Sequence, residues 1–279
     1  YMDSVPDRAV CNEAVKLAAK RGFVNLKGFV NGVLRTISRN REDIQLPDKT
    51  DMITYLSIVY SMPEWLVKQW LAVYDADTVE TMGKAFLENK KTTIRKSPKA
   101  GDTTEFVKRL ETEGVIVEPE TQMKDVFYIS GYDYLEKLQT FRNGEFYVQD
   151  ISSMQVAEWA DPKAGDVIID VCAAPGGKSI HLAEKLDGTG MVEARDLTEY
   201  KVELLQENIE RSGLTNICAR VQDATVKDPE SVGKADIVIA DLPCSGLGIL
   251  GRKPDLRYKM TPKMQEDLVK LQREILKVV

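Results

Sequence analysis

The sequence predicts an α/β protein whose second half is a doubly wound, parallel-stranded sheet, preceded by a small α/β domain and an all-helical start. Three observations carry this. From residue 151 onward, strand-like, loop and helix-like stretches repeat in that order, the pattern of a parallel sheet with helical crossovers. Within it, Val167-Ile168-Ile169-Asp170-Val171 is a nearly continuous apolar run, as a strand covered on both faces should be. Residues 1 to about 82, by contrast, read as helical throughout.

Taken in order, residues 12–20 form a short amphipathic stretch, and 28–34 begin another after a glycine break. Helices over 52–60 and 63–73 follow, the second with proline in its first turn, where the missing N–H costs nothing. Trp65, Leu66, Trp70 and Val73 fall at helical spacing and are expected in a core. Residues 92–94, 115–117, 126–129 and 145–148 read as strands, with a helix over 104–113 closed by Gly114. Phe127 and Phe146 on that small sheet are expected in its core, base stacking being the alternative. The last segment has strands at 167–171, 191–195, 217–221 and 236–240, with helices at 178–186 and 200–211 between the first three and a helix over 261–279 at the end. The segments therefore run 1–41, 42–82, 83–150 and 151–279.

With 43% apolar and 29% charged residues the 279-residue chain has an ordinary globular balance, and no window approaches a membrane span. Its first residues lack the basic start and apolar stretch of a signal peptide, so a cytoplasmic protein is expected. The four cysteines are scattered without a CxxC pair, which argues against a zinc site or a disulfide framework, and no metal is expected. His181 is the only histidine, which excludes chemistry needing two; its place along a helix reads as surface. The net charge of −6 does not announce a nucleic-acid binder, but its distribution is uneven. Residues 1–41 hold eight Lys/Arg against three acids, and Lys90, Lys91, Arg95, Lys96 and Lys99 form a second cluster without an acid. Phosphate contact and a solvated face are both open readings of such clusters.

Ligands of an open α/β sheet sit beyond the carboxyl ends of its strands. After the first strand of the last segment comes the loop Cys172-Ala173-Ala174-Pro175-Gly176-Gly177-Lys178, whose adjacent glycines let backbone approach a ligand. The second strand ends at Asp196, placed to accept from a ribose diol, and the third at Asp223, placed to accept from an adenine amino group. The fourth ends at Asp241, followed by Leu242-Pro243-Cys244-Ser245-Gly246. The loop lacks GxGxxG, and the chain has no GxxxxGK[ST] phosphate loop, which leaves a nucleoside without phosphate. S-adenosylmethionine is such a nucleoside.

The pair CAAPGGK (172–178) and DLPCSG (241–246) resembles the RNA 5-methylcytosine methyltransferase family. Residues 6–22 and 28–35 resemble the end of the NusB-like domain found in its bacterial RsmB (Sun/Fmu) branch, and 61–67 and 146–150 resemble stretches lying between the end domains. The resemblance thus covers nearly the whole chain. It implies a Rossmann-like S-adenosylmethionine methyltransferase domain, incomplete at its C-terminal end, behind a small α/β RNA-binding domain and an all-α NusB-like remnant. The implied reaction is methylation of carbon 5 of a cytosine in small-subunit ribosomal RNA. A thiolate adds at carbon 6, making the ring an enamine, and is expelled once the carbon-5 proton has gone. The target base must leave its stack or come from unpaired RNA.

The family's pattern also assigns residues. Cys244 of the Pro-Cys motif is implied in product release, Asp241 in contact with the cytosine edge or the cofactor, and residues 172–178 with Asp196 and Asp223 in cofactor binding. Lys178 has an implied structural or polar role, and Arg252 reaches RNA phosphate or stays a solvated loop charge. The implied nucleophile belongs to a Thr-Cys motif after a fifth strand, which this sequence does not contain; the chain is read as a fragment or as omitting residues. Alternatives are a tRNA cytosine methyltransferase, a small-molecule methyltransferase, and, for the chain as it stands, a non-catalytic protein that holds RNA and cofactor.

Overall fold

The computed structural model describes residues 5–43, 45–88 and 91–279 and divides into two units, Tyr1–Lys84 and Ala85–Val279. Among the described residues, no helix is long and apolar enough to cross a membrane.

The first unit is helical, as its sequence predicts. An antiparallel pair, α1 (Asp7–Lys20) and α2 (Lys27–Arg39), is followed by α3 (Met52–Val59), α4 (Glu64–Leu71) and α5 (Ala76–Leu87). The Asp51 side chain caps α3 by accepting from the Thr54 N–H. Leu56, Met62, Leu66, Val67 and Val79 are buried, and Tyr60 donates to the buried Glu80, 3.1 Å away. Of the four residues expected in a core from their spacing, Leu66 is buried and Trp65 and Trp70 are half-buried. Val73 is 73% exposed. The helix ends at Leu71, so the spacing stops predicting a face two residues before Val73.

In the second unit β1 (Thr92–Lys96), α6 (Thr103–Thr112), β2 (Ile116–Pro119), β3 (Val126–Ser130), the short α7 (Gln139–Arg142) and β4 (Phe146–Val148) form the small α/β domain. Its sheet is antiparallel, in the order β2-β3-β1-β4. One face packs Ile94, Phe127, Ile129 and Phe146 against Phe106 and Leu110 of α6. Phe127 and Phe146 are therefore core residues and offer no face for stacking.

Burial accounts for two basic residues that the sequence left open to phosphate, Arg95 on the opposite face and Lys96 at the edge of the core face. Arg95 and Lys96 are 6% and 8% exposed. The Arg95 guanidinium pairs with Glu184, donates to Gln149 Oε1 at 3.0 Å, and lies over the Tyr147 ring at 5.1 Å. Lys96 pairs with Asp125 at 3.3 Å. Both are thereby removed from the proposed basic cluster. Lys91 remains exposed beside Glu118, and Lys90 lies outside the described residues.

The parallel sheet follows. After α8 (Ile151–Ala160) come β5 (Val167–Asp170), α9 (Gly177–Lys185), β6 (Met191–Asp196), α10 (Glu199–Ser212), β7 (Ile217–Val221), β8 (Ile237–Ile239), α11 (Leu256–Lys259) and α12 (Pro262–Leu276). The strand order is β7-β6-β5-β8, all parallel. Period-two alternation sorts the two faces. Ile168, Val192, Ala194 and Ile239 pack against α9 and α10, whereas Ile169 and Val171 pack against Leu271 and Ile275 of α12.

His181 contradicts its expected place on the helix surface. It is 6% exposed, with Nε2 3.3 Å from Glu158. Burial, then the nearby charges of Arg95 and Lys185, push its pKa down to about 2, so it is neutral in the fold. The helix is legible in the sequence, but the small domain and α8 that cover its outer side are not.

The small domain and the parallel sheet also meet at Gly144 (φ +65°), where an added Cβ would stand 2.2 Å from the Arg211 carbonyl oxygen. Backbone cannot yield there as a side chain would. Gly144→Ala is expected to destabilise the protein by about 2–3 kcal/mol, read as a lower midpoint in chemical denaturation. An unchanged midpoint would show that the two parts do not meet this closely.

Candidate functional site

The predicted loop leaves β5 and turns back under its own hydrogen bonds. Val171 and Ala173 donate to the carbonyls of Ile239 and Arg195, 3.0 and 2.8 Å, which pins the loop between the carboxyl ends of β8 and β6. The Ala174–Pro175 peptide is cis, and Asn208 of α10 donates to the Pro175 carbonyl at 2.9 Å. Gly176 (φ +106°) closes the turn before α9 in a conformation that strains other residues. At Gly177 an added Cβ would meet nothing closer than Gln149, 3.9 Å away, so the start of α9 is open. The first amides of a helix have no intrahelical acceptor and are available to a ligand.

Asp196, 4% exposed at the end of β6, is tied to this loop. It accepts from the Ala174 N–H at 3.0 Å, the Leu197 N–H at 2.8 Å and Lys201 Nζ at 2.9 Å. Lys178 reaches across to Asp241 after β8, 2.6 Å away. Asp223 follows β7 and accepts from both the N–H and hydroxyl of Thr225, which lowers its pKa. No hydrogen bond ties Asp223 to the loop among the described residues. Cys244 is exposed, and the turn that carries it is held by Gln272 of α12, which donates to the Pro243 carbonyl at 2.8 Å. The structure thus brings residues 172–178, Asp196 and Asp241 into one bonded group. Arg252 stands apart, paired with Asp150.

Three supporting residues were not singled out from sequence: Lys201, Asn208 and Asp170. The signal for Asp170 was present, a carboxylate inside an apolar parallel strand. It is 1% exposed, and its Oδ2 accepts from the Ser179 hydroxyl at 2.6 Å. Burial raises its pKa to about 6, against the lowering effect of that bond. Because the folded pKa lies above the unfolded one, Asp170 favours folding when protonated. Its contribution is lost as pH rises from about 4 through 6. Asp170→Asn keeps an acceptor for Ser179 without the charge. Relative to the wild type it is expected to gain stability over that window, up to about 3 kcal/mol by pH 7. Denaturation midpoints of both proteins from pH 4 to 7 check this; a constant difference would refute it.

Burial pushes the Cys172 thiol up to about 11, so it stays protonated and unreactive at neutral pH. Among the described residues no cluster of three or more His, Cys, Asp or Glu is arranged to hold a metal.

The charge of the site states what it accepts. Asp196, Asp223 and Asp241 stand at the carboxyl ends of β6, β7 and β8, and both site lysines, Lys178 and Lys201, are already paired with carboxylates. A phosphate would meet an acidic rim whose two lysines are already paired. A neutral or cationic nucleoside would meet carboxylate acceptors and open helix amides.

The chain is similar to known proteins over its length. Residues 157–279 match the family described as 16S rRNA methyltransferase RsmB/F, and residues 1–39 match the NusB family. Over its whole length the chain is 38% identical to the probable ribosomal RNA small subunit methyltransferase B of Bacillus subtilis (strain 168). It is 32% identical to the protein of the same name from Synechocystis sp.. The chain spans 62% and 63% of the length of these curated relatives. The crystal structure of PH0851 matches 99% of this chain and 61% of that one, with a TM-score of 0.84 and 25% identity. NSun6 from Pyrococcus horikoshii with SFG matches 77% of this chain and 79% of that one, with a TM-score of 0.67; at 21% identity this is a likeness of fold. Over residues 157–279 the chain is thus similar to the 16S rRNA methyltransferase RsmB/F family, with a likeness to the NusB family at its start.

Proposed function

We propose that the protein to which this chain belongs methylates carbon 5 of a cytosine in small-subunit ribosomal RNA, using S-adenosylmethionine. The observation that carries this reading is the acidic site at the carboxyl ends of β5, β6, β7 and β8, immediately followed by the Pro-Cys turn. Bound there, S-adenosylmethionine supplies a methyl group on a sulfonium cation. The residues present fit it: the remaining acceptor capacity of Asp196 takes the ribose diol, Asp223 Oδ2 takes the adenine amino group, and Gly177 leaves room at the start of α9. The acidic rim suits a cationic ligand. Lys178 keeps Asp241 turned toward the loop, beside the turn where the cytosine is received. Exposed Cys244 acts on the base in product release, and unpaired RNA presents the base to it.

The match at residues 1–39 supports ribosomal over transfer RNA as substrate. The experiment is transfer of labelled methyl from S-adenosylmethionine to small-subunit rRNA by the complete protein. Label at carbon 5 of one cytosine is expected. No incorporation, or label on adenine, would sink the reading.

A further inference from the structure

Thr93 of β1 and Tyr128 of β3 are register partners, so their side chains emerge together on the sheet face opposite the Ile94–Phe127 core. At one end of that face Arg95 and Tyr147 are covered through Glu184 of α9. At the other end Thr93 and Tyr128 line a cavity of about 320 Å³. Its far walls are Asp150 and Ser152 at the start of α8, and Ile249 and Arg252 in the segment after Cys244. Thr93 is 4% exposed and Tyr128 half-buried, and neither hydroxyl has a hydrogen-bond partner among the described residues. A nearly buried hydroxyl left without a partner beside a cavity is placed for a ligand.

Two walls of this cavity are joined to the nucleoside site by short stretches of chain. Gln149, the neighbour of Asp150, stands against Gly177 at the start of α9. On the other side Ile249 and Arg252 follow Cys244 through one short turn over Leu247–Ile249. The cavity lining is thus connected along the chain to Gln149 beside Gly177 on one side and to Cys244 on the other.

We propose that the cavity holds the nucleotide next to the target cytosine in the RNA strand. This rests on the RNA-methylation reading and assigns a subsite to it. The base stacks on the Tyr128 ring, the Thr93 hydroxyl bonds its edge, the Tyr128 hydroxyl bonds the sugar beside it, and Arg252 takes the linking phosphate. The cavity lies near the lower end of ligand pockets, about 300–1,000 Å³, which suits one nucleotide and not a run of them. Arg252 and Asp150 are 36% and 38% exposed as side chains. Such an exposed pair is worth little, so exchanging the carboxylate for a phosphate costs little.

The test is steady-state methyl transfer by the complete protein to short RNA oligonucleotides in which each neighbour of the target is made abasic in turn. In the wild type, one abasic position is expected to raise KM for RNA about tenfold, the effect of losing one stacked base. Tyr128→Leu is expected to raise KM for intact RNA by about the same factor, with the Kd for S-adenosylmethionine unchanged, and to make the abasic position cost less than about twofold. Tyr128→Phe and Thr93→Val keep ring and shape, and each is expected to raise KM about threefold, which keeps the test decisive if the leucine variant does not fold. Unchanged KM in the variants, no sensitive neighbour in the wild type, or additive losses overturn the subsite while leaving RNA methylation intact. Failure to methylate any RNA overturns both.

Discussion

Asp196→Ala is expected to weaken S-adenosylmethionine binding by about a hundredfold, as two charge-assisted hydrogen bonds at about 1.5–3 kcal/mol each would do after partial compensation by water. The carboxylate has two duties. It accepts from the Ala174 N–H, which fixes the turn of the cofactor loop, and it balances Lys201 at a position 4% exposed. Alanine leaves the Ala174 amide and the Lys201 ammonium unpaired and removes the acceptor assigned to the ribose. Asp196→Asn keeps one of the two acceptor oxygens and loses the charge, so its expected loss is smaller, about tenfold. Titration calorimetry with S-adenosylmethionine measures both, and circular dichroism controls for the fold. Wild-type affinity in the alanine variant would remove the cofactor assignment from the end of β6.

Arg95→Met is expected to destabilise the second unit by about 3 kcal/mol, because it leaves Glu184 charged in the interior. The two side chains are 7% and 5% exposed. The Ser97 hydroxyl, 2.6 Å from Glu184 Oε1, would be the remaining partner of that carboxylate. The double variant R95M/E184Q removes both charges and is expected to recover most of the loss, since replacing a whole buried pair is far milder than breaking it. One Arg95 nitrogen, Nη2, is buried without a partner, a further reason why the pair adds less than its geometry suggests. Urea denaturation midpoints of the three proteins decide the matter; equal effects of single and double variants would show that the pair is not coupled.

These two positions differ in how far the sequence reached them. Asp196 could be named because a strand's carboxyl end is a topological fact, set by where the apolar run stops. The same reasoning located residues 172–178, Asp223 and Asp241. Arg95 was misjudged by the opposite kind of inference. A run of basic residues over 90–99 reads as one surface cluster, yet the docking of α9 buries Arg95 against Glu184, and Lys96, on the opposite face of β1, is buried against Asp125. Lys99 likewise donates to the carbonyls of Arg211 and Ser212, at 3.0 and 2.9 Å. Charge clustering is local, whereas burial depends on what packs over the strand.

His181 and Asp170 follow the same division. Their helix and strand were legible, but their neutral states arise from burial that no window of sequence contains. What the sequence by itself determined is the order of strands, the loop between β5 and α9, and the acids and cysteine at the strand ends, because apolar period and residue type fix these locally. Only the tertiary structure decided which basic residues face water, which lysines neutralise Asp196 and Asp241, and that a small sheet and a helix start enclose a cavity beside the site. Those are contacts between distant segments, and their energies depend on solvent exclusion that exists only once the chain has folded.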